Sequence, residues 1–397
     1  EGRDADRSGL RLNLRARDIA GLPLQARLRL RTLDVDRERR LSNGAPASES
    51  RDRLYEASLT YDPPEGRFAV RAGRLGTSPF VGLGYLDGVL AELRPLDTLA
   101  VGGFYGLRPE LEELGFENSG SKLGAFLSFT PAGRESPDGL ELLLAGVREE
   151  GEIGVSRDYL TVETRYDGGG RWSFYEHAEL DLNRDWREER ADESVQLSNV
   201  AVTALARLSD RNRLSLSYER FQRYWTEETR FVPEELFDDF LRQGFRASWQ
   251  SGRPEALSWS LTAGFRNRES APEDRVLSIF DSKETTSLGL GVNHPRVPGL
   301  GISFGAQALG FTSSSADGVL VSLRGARRLG RGHEVSLTLG SSLNRTTAFD
   351  EERVLSWGRA SLWLELPYDL FGRADVELLT GDDVEGQRWS VGLGYRL

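Results

Sequence analysis

The stretch Leu257-Ser258-Trp259-Ser260-Leu261-Thr262-Ala263-Gly264-Phe265 alternates apolar and small polar side chains without a break. Successive Cβ atoms of a strand point to opposite faces, so this segment reads as a strand with one greasy face and one smooth polar face. The same zigzag recurs in both directions. Leu10, Leu12 and Leu14 alternate with Arg11, Asn13 and Arg15, and Leu24, Ala26, Leu28 and Leu30 alternate with Gln25, Arg27, Arg29 and Arg31. Downstream, Val335, Leu337 and Leu339, then Trp389, Val391, Leu393 and Tyr395, keep the period. We count about 21 such segments, roughly 19 residues each with its connection, which suits membrane-crossing strands of about 10 residues.

Composition narrows the class. The 397 residues include 44 Gly, 15 Pro and no Cys. Without Cys there are no disulfides, thiol nucleophiles, zinc–thiolate or iron–sulfur sites, and no covalent c-type haem on this chain. A net charge of −11 argues against a nucleic-acid partner, which requires a basic face. No run of about 18 apolar residues is long enough for a membrane-spanning helix. Barrel strands need only every second residue apolar, so a mean hydropathy of −0.44 is compatible with a membrane protein. Soluble sandwiches and propellers also alternate, but with shorter strands of about 5–6 residues. The polar positions here are charged or small and offer no second apolar core. The expected fold is all-β: one antiparallel, up-and-down transmembrane β-barrel of about 20–22 strands spanning residues 1–397.

Some segments are less decisive. Residues 140–147 are apolar on both rows, and their phase is open. Glu176 interrupts the greasy row Trp172, Phe174, Ala178 and Leu180, whereas Val200, Val202, Ala204, Ala206 and Leu208 read as a clear apolar row. Short connections at 62–66, 95–97, 167–170 and 209–212 use Gly, Pro, Asp or Asn for tight reversal. Longer ones lie between them, at 33–52, 75–86, 107–121, 183–195, 225–243, 266–283 and 344–352. Strict alternation of the two kinds is how short periplasmic turns and longer extracellular loops are arranged. The short turn Asp18–Pro23 then falls on the periplasmic side, and the first and last strands run the same way. An even strand number implies either one strand preceding Glu1, with residues 1–8 in an extracellular loop, or a segment count that is off by one. A start at Glu1 rather than Met fits a mature chain.

The C-terminal segment Arg388-Trp389-Ser390-Val391-Gly392-Leu393-Gly394-Tyr395-Arg396-Leu397 resembles the last strand of Gram-negative outer-membrane proteins, which usually end in Phe or Trp where this chain has Leu397. Arg71-Ala72-Gly73-Arg74, a loop, then Leu86-Asp87-Gly88-Val89 resembles a recurrent strand–loop–strand motif of bacterial porins. The resemblance is to the porin superfamily over the whole chain. It implies an integral protein of the bacterial outer membrane, surrounded by its lipid.

In this fold the polar row faces the lumen. Arg11, Arg15, Arg17, Arg27, Arg29 and Arg31, with Arg67 and Arg71 nearby, form a basic wall, and Glu56 is a local counter-charge. Guanidinium forks match carboxylate and phosphate, so the wall suits an anionic solute or an acidic luminal partner; solvated arginines in a water-filled pore are the plainer alternative. Tyr175, His177, Glu179 and Asp181 form an acidic and aromatic arc, with His177 read as a hydrogen-bonded lumen side chain rather than a metal ligand. Ser258, Ser260, Thr262, Gly289, Gly291, Gly301, Ser303 and Gly305 form a smooth arc. Residues 109–114 and 233–242 look helical, the latter through the i,i+4 pairs Leu236/Phe240 and Phe237/Leu241, as a constriction or a partner-docking face. Tyr55, Tyr61, Trp172, Trp249, Trp259, Trp363, Tyr368 and Trp389 are candidates for the aromatic girdles.

Three functions fit these features. One is a porin-like barrel forming a wide, charged transmembrane pore. Another is a barrel scaffold sheathing a multihaem cytochrome for electron transfer across the outer membrane, with every haem on the partner. The third is an export channel for an anionic polysaccharide. No catalytic triad, metal-ligand spacing or cofactor motif supports an enzyme.

Overall fold

In a computed structural model the described residues of the chain form 21 strands in one sheet. The structure describes residues 5–37, 48–76, 80–110, 118–133, 139–233, 237, 241–253, 255–269, 284–330, 332–346, 351–382 and 384–395. The strands are β1 (Ala5–Ala16), β2 (Leu24–Arg37), β3 (Ser48–Tyr61), β4 (Phe68–Leu75), β5 (Leu86–Leu96), β6 (Leu99–Pro109) and β7 (Asn118–Phe129). They continue with β8 (Gly139–Glu150), β9 (Val155–Asp167), β10 (Trp172–Leu182), β11 (Val195–Ser209), β12 (Asn212–Phe221), β13 (Arg242–Gly252) and β14 (Ser258–Arg268). The last are β15 (Glu284–His294), β16 (Ile302–Ser313), β17 (Ala316–Arg328), β18 (Glu334–Thr346), β19 (Glu351–Glu365), β20 (Leu370–Gly381) and β21 (Glu385–Tyr395). A short helix α1 (Trp186–Ala191) lies between β10 and β11. The described registers join strands adjacent in sequence, antiparallel, as in β1–β2, β8–β9, β13–β14 and β20–β21.

By internal contacts the chain divides into two compact units, residues 3–202 with 220–239 and residues 203–219 with 240–397. The first carries β1–β10 and the second β13–β21, while β11 and β12 contribute to both.

Within each unit the burial is inside out relative to a soluble protein. In the second unit Val319, Val321 and Leu323 of β17 and Val335, Leu337 and Leu339 of β18 are all exposed. In the first unit Leu93, Tyr105, Leu127 and Leu144 are exposed, while Arg94, Glu149, Arg157, Glu163 and Asp181 are buried. A soluble sheet that exposed its apolar row and buried its charged row would lose on both counts. Lipid against the apolar row removes the contradiction. The fold is an antiparallel, up-and-down transmembrane β-barrel.

Several expectations are corrected. β1 already runs from Ala5, so residues 5–8 belong to a strand rather than a loop, and residues 1–4 lie outside the described set. The alternation of long and short connections is not strict. β8–β9 and β16–β17 are joined by only residues 151–154 and 314–315, on the long side, whereas 130–138 join β7 to β8 on the short side. In β11 the exposure does not follow the expected row throughout: Ala206 is buried at 6% and Leu205 of the other row is exposed at 48%, while Leu208 of the expected row is exposed at 59%. Both rows of β11 carry apolar or small residues from Val200 to Ala206, so alternation alone does not specify which one faces lipid there. In β8 both rows are apolar for a reason: Leu142 and Leu144 are exposed, while Leu143, Ala145 and Val147 are buried against the chain itself. The first unit does contain an interior apolar core.

The two rows predict opposite costs. Val321→Arg, mid-strand on the exposed row of β17, should destabilise the protein by about 2–4 kcal/mol in equilibrium urea unfolding from lipid vesicles. Ser322→Arg, one residue away on the other row, should cost less than about 1 kcal/mol.

Candidate functional site

The interior of the first unit is organised by the β4–β5 connection. The apolar residues Leu75, Phe80, Leu83 and Leu86 are buried, and they cluster with Leu90, Phe104, Phe126, Leu143, Ala145, Val147 and Tyr159 from the polar rows of β5 to β9. Phe80 is the centre, with ring centroids 6.0 Å from Phe104 and 5.8 Å from Phe126. Polar anchors fix the same segment. Tyr159 Oη donates to the Gly82 carbonyl at 2.7 Å, Lys122 Nζ donates to the Leu83 carbonyl at 3.0 Å, and the Val81 N–H donates to Glu163. Gly82 is required by proximity, since a Cβ there would lie 2.7 Å from Thr161 Oγ1. The segment is thus folded onto the inner wall.

Above it lies a buried charge network. Arg157 donates through Nε to Asp181 at 2.6 Å and through a terminal nitrogen to Glu179 at 2.7 Å. Its guanidinium sits between two phenol rings, 3.9 Å from the Tyr159 centroid and 3.5 Å from that of Tyr224. Burial raises the Tyr224 phenol above its ordinary range. His177 Nε2 lies 3.2 Å from Glu179, and its other ring nitrogen lies 3.7 Å from Glu163. Glu149 takes Lys122 at 2.7 Å and Arg108 at 2.9 Å.

The β12–β13 connection closes over this network. Its Glu227 accepts from the Ile153 N–H at 2.9 Å, its backbone N–H at Glu227 donates to Ser156 Oγ at 3.1 Å, and Glu228 pairs with Arg108. Trp225 and Phe237, each 2% exposed, stack with centroids 3.7 Å apart. Nearby, α1 buries Arg187, and burial lowers its pKa below the usual guanidinium value.

The residues singled out from the sequence fall as follows. Tyr175, His177, Glu179 and Asp181 share one row of β10, opposite Arg165, Glu163, Thr161 and Tyr159 of β9. Arg11 faces Arg31 and Arg15 faces Arg27 across β1–β2, and Arg29 stands on the same row opposite Asn13. Glu56 lies 3.7 Å from Arg27. Arg71 faces Thr60 of β3, and with Arg17 and Arg27 it lines a cavity of about 320 Å³. Arg17 lies in the β1–β2 turn. Arg67 immediately precedes β4, and its carbonyl accepts from the Arg94 N–H, which continues the β4–β5 register. Ser258, Ser260 and Thr262 face Asn293, Gly291 and Gly289, whereas Gly301 belongs to a turn with φ +65°.

The expected loop helices lie mostly outside the described residues, 111–117, 234–236 and 238–240 among them. Phe237 and Leu241 are not helical, and Phe237 is held by Trp225 instead of by Leu241; Leu236 and Phe240 lie outside the described residues. Pro109, the first residue of the other expected helix, ends β6, and 111–117 are outside the described set. Trp363 is not a girdle residue. It faces Glu334 and Arg373, on the polar row, and stacks on Phe371 with centroids 4.7 Å apart. Sequence reasoning missed Phe80, Arg108, Lys122, Glu149, Arg157, Glu163 and Trp225. The double apolar row of β8 was the available signal, because a strand that is greasy on both faces needs a cover on each.

No known family model matches the sequence, and no curated protein matches it. Among solved structures, the P pilus usher PapC translocation pore is similar over 99% of this chain and 95% of its own, at 12% identity and TM-score 0.45. OccAB3 of Acinetobacter baumannii is similar over 98% and 97%, at 11% identity and TM-score 0.40. An anion-selective porin from Comamonas acidovorans covers 74% of this chain and 87% of its own, at 12% identity and TM-score 0.36. At these values the fold stands on register and burial.

Arg157→Ala leaves Asp181 and Glu179 buried without their cation. We expect a loss of about 3–5 kcal/mol in urea unfolding, against under about 1 kcal/mol for the half-exposed Arg165→Ala.

Proposed function

We propose that the chain is an outer-membrane, porin-like channel whose passage in the first unit is narrowed by its own β4–β5 and β12–β13 connections. The observation that supports this most directly is the docking of Phe80 and its neighbours on the inner wall of β5–β9. A segment anchored there by apolar packing and by three backbone hydrogen bonds acts as a fixed constriction. Selection then comes from size and from the field of the charged wall, with Arg11, Arg15, Arg27, Arg29 and Arg31 favouring anions. This reading assigns no chemistry to the protein.

No feature of either unit favours a sheath around a multihaem cytochrome or an exporter of anionic polysaccharide. In the first unit the wall such a partner would touch is partly covered by the chain's own segments. A Soret band in natively purified material would move the assignment to the sheath.

Planar-bilayer recordings test the channel. The purified protein should give discrete conductance steps, and Phe80→Ala should raise the single-channel conductance by releasing the constriction. A silent bilayer, or an unchanged conductance in a correctly folded Phe80→Ala protein, would count against it. The double change Arg27→Glu with Arg29→Glu should move the reversal potential in a salt gradient toward cations; no movement would remove these arginines from the permeation path.

A further inference from the structure

The polar row of the second unit holds a cavity of about 820 Å³ that the channel reading does not use. Cross-strand register builds its wall. Arg324 of β17 faces Thr338 of β18, which faces Arg359 of β19. Two same-face rungs along, past Ser336, Ser361 and Asp375, Trp363 stands between Glu334 and Arg373. Arg324, Arg328, Arg359 and Arg373, the carboxylates of Glu334 and Glu365, and one indole therefore line the same space.

The charges are unequally matched. Asp375 is shared by two cations, with Arg359 at 2.9 Å and Arg373 at 2.7 Å. Glu334 lies 3.8 Å from Arg328. Arg324 makes no ion pair or hydrogen bond among the described residues. Four guanidiniums stand against Glu334, Glu365 and the adjoining Asp375, which leaves a net of one positive charge among these groups, with Arg324 as the guanidinium outside the ion pairs. Each guanidinium has five donors, so Arg359 and Arg373 keep capacity for a further acceptor.

The aromatic part is held in a set orientation. Trp363 lies nearly parallel to Phe371, at 15° and 4.7 Å, which pins the indole against β20 while it still lines the cavity. An aromatic face beside arginines, with the hydroxyls of Ser336, Thr338 and Ser361 around it, presents two kinds of recognition at once. A flat ring stacks on the indole, and an anion meets the guanidiniums. The volume lies in the range of small-molecule sites.

We propose that this cavity is a binding site for small ring-bearing carboxylates, with the ring on Trp363 and the carboxylate on Arg324 together with Arg359 or Arg373. The ring is aromatic or a pyranose. The site concerns what is bound in the second unit and does not depend on whether the first unit conducts.

Isothermal titration of the purified full chain in detergent tests it, with benzoate and glucuronate as probes and benzyl alcohol and acetate as controls. Saturable binding of either ring carboxylate is expected, tighter than either control, and the tighter of the two names the ring. Arg324→Gln and Trp363→Ala should each weaken that binding about tenfold or more, and Trp363→Phe should largely restore it. No saturable binding of benzoate or glucuronate overturns the proposal, as does unchanged affinity in Arg324→Gln. A loss confined to Arg324→Gln, with Trp363→Ala unchanged, overturns the ring contact and leaves an anion site only. Heat-modifiable migration on gels checks that each variant is folded, and Arg324→Gln decides the matter should Trp363→Ala fail to fold. Bilayer conductance with no binding would sink this inference alone; binding with no conductance would sink the channel alone.

Discussion

Hydrocarbon offers no hydrogen-bond partner to a peptide group, and this constraint shapes the whole chain. Every backbone N–H and C=O that crosses the membrane has to be satisfied by the protein, and a strand does so only through its neighbours. The consequence is a meander in which the described registers pair sequence neighbours from β1 to β10 and from β13 to β21, and a side-chain pattern in which one row meets lipid. With the apolar row used outside, the polar row is left to make the interior. The interior therefore has to be stabilised by charge pairing and by segments folded back onto it, rather than by the usual apolar core.

The first unit does both. Its apolar interior cluster is small and is assembled largely around one inserted phenylalanine, Phe80. Beside it, buried cations and carboxylates alternate: Lys122 and Arg108 on Glu149, Arg157 on Asp181 and Glu179. Buried ion pairs gain little over apolar packing of the same volume, but removing one member is costly. Such a network fixes one arrangement of the connecting segments. It gives the proposed constriction a rigid floor in β8–β10 and a cover in the β12–β13 connection, which shares Arg157 through Tyr224 and Arg108 through Glu228.

The second unit is built differently. Its polar row is lined by Gly, Ser and Thr in β14–β18, and its charged groups gather around Asp375. Cavities remain there, of about 620 and 820 Å³. Small side chains leave room, and an under-neutralised set of arginines gives that room a sign. One chain thus carries a wall covered by its own segments and a wall in which cavities remain.

The sequence by itself determined the strands, their number and the chemistry of the two rows. A period of two is a local property that any reader of Leu257–Phe265 recovers, and strand direction follows by counting turns. It also placed Tyr175, His177, Glu179 and Asp181 on one row, because residues two apart on a strand must share a face. It did not determine which row of β8 faces lipid, since Leu142 and Leu144 on one row and Leu143, Ala145 and Val147 on the other are all apolar. Nor did it show that Trp363 lies on the polar row or that Phe237 is held by Trp225. Those outcomes depend on contacts between residues distant along the chain, such as Val81 with Glu163 and Arg108 with Glu228. Alternation records which side a residue takes within its own strand; what covers that side is decided only when the strands and the connecting segments come together.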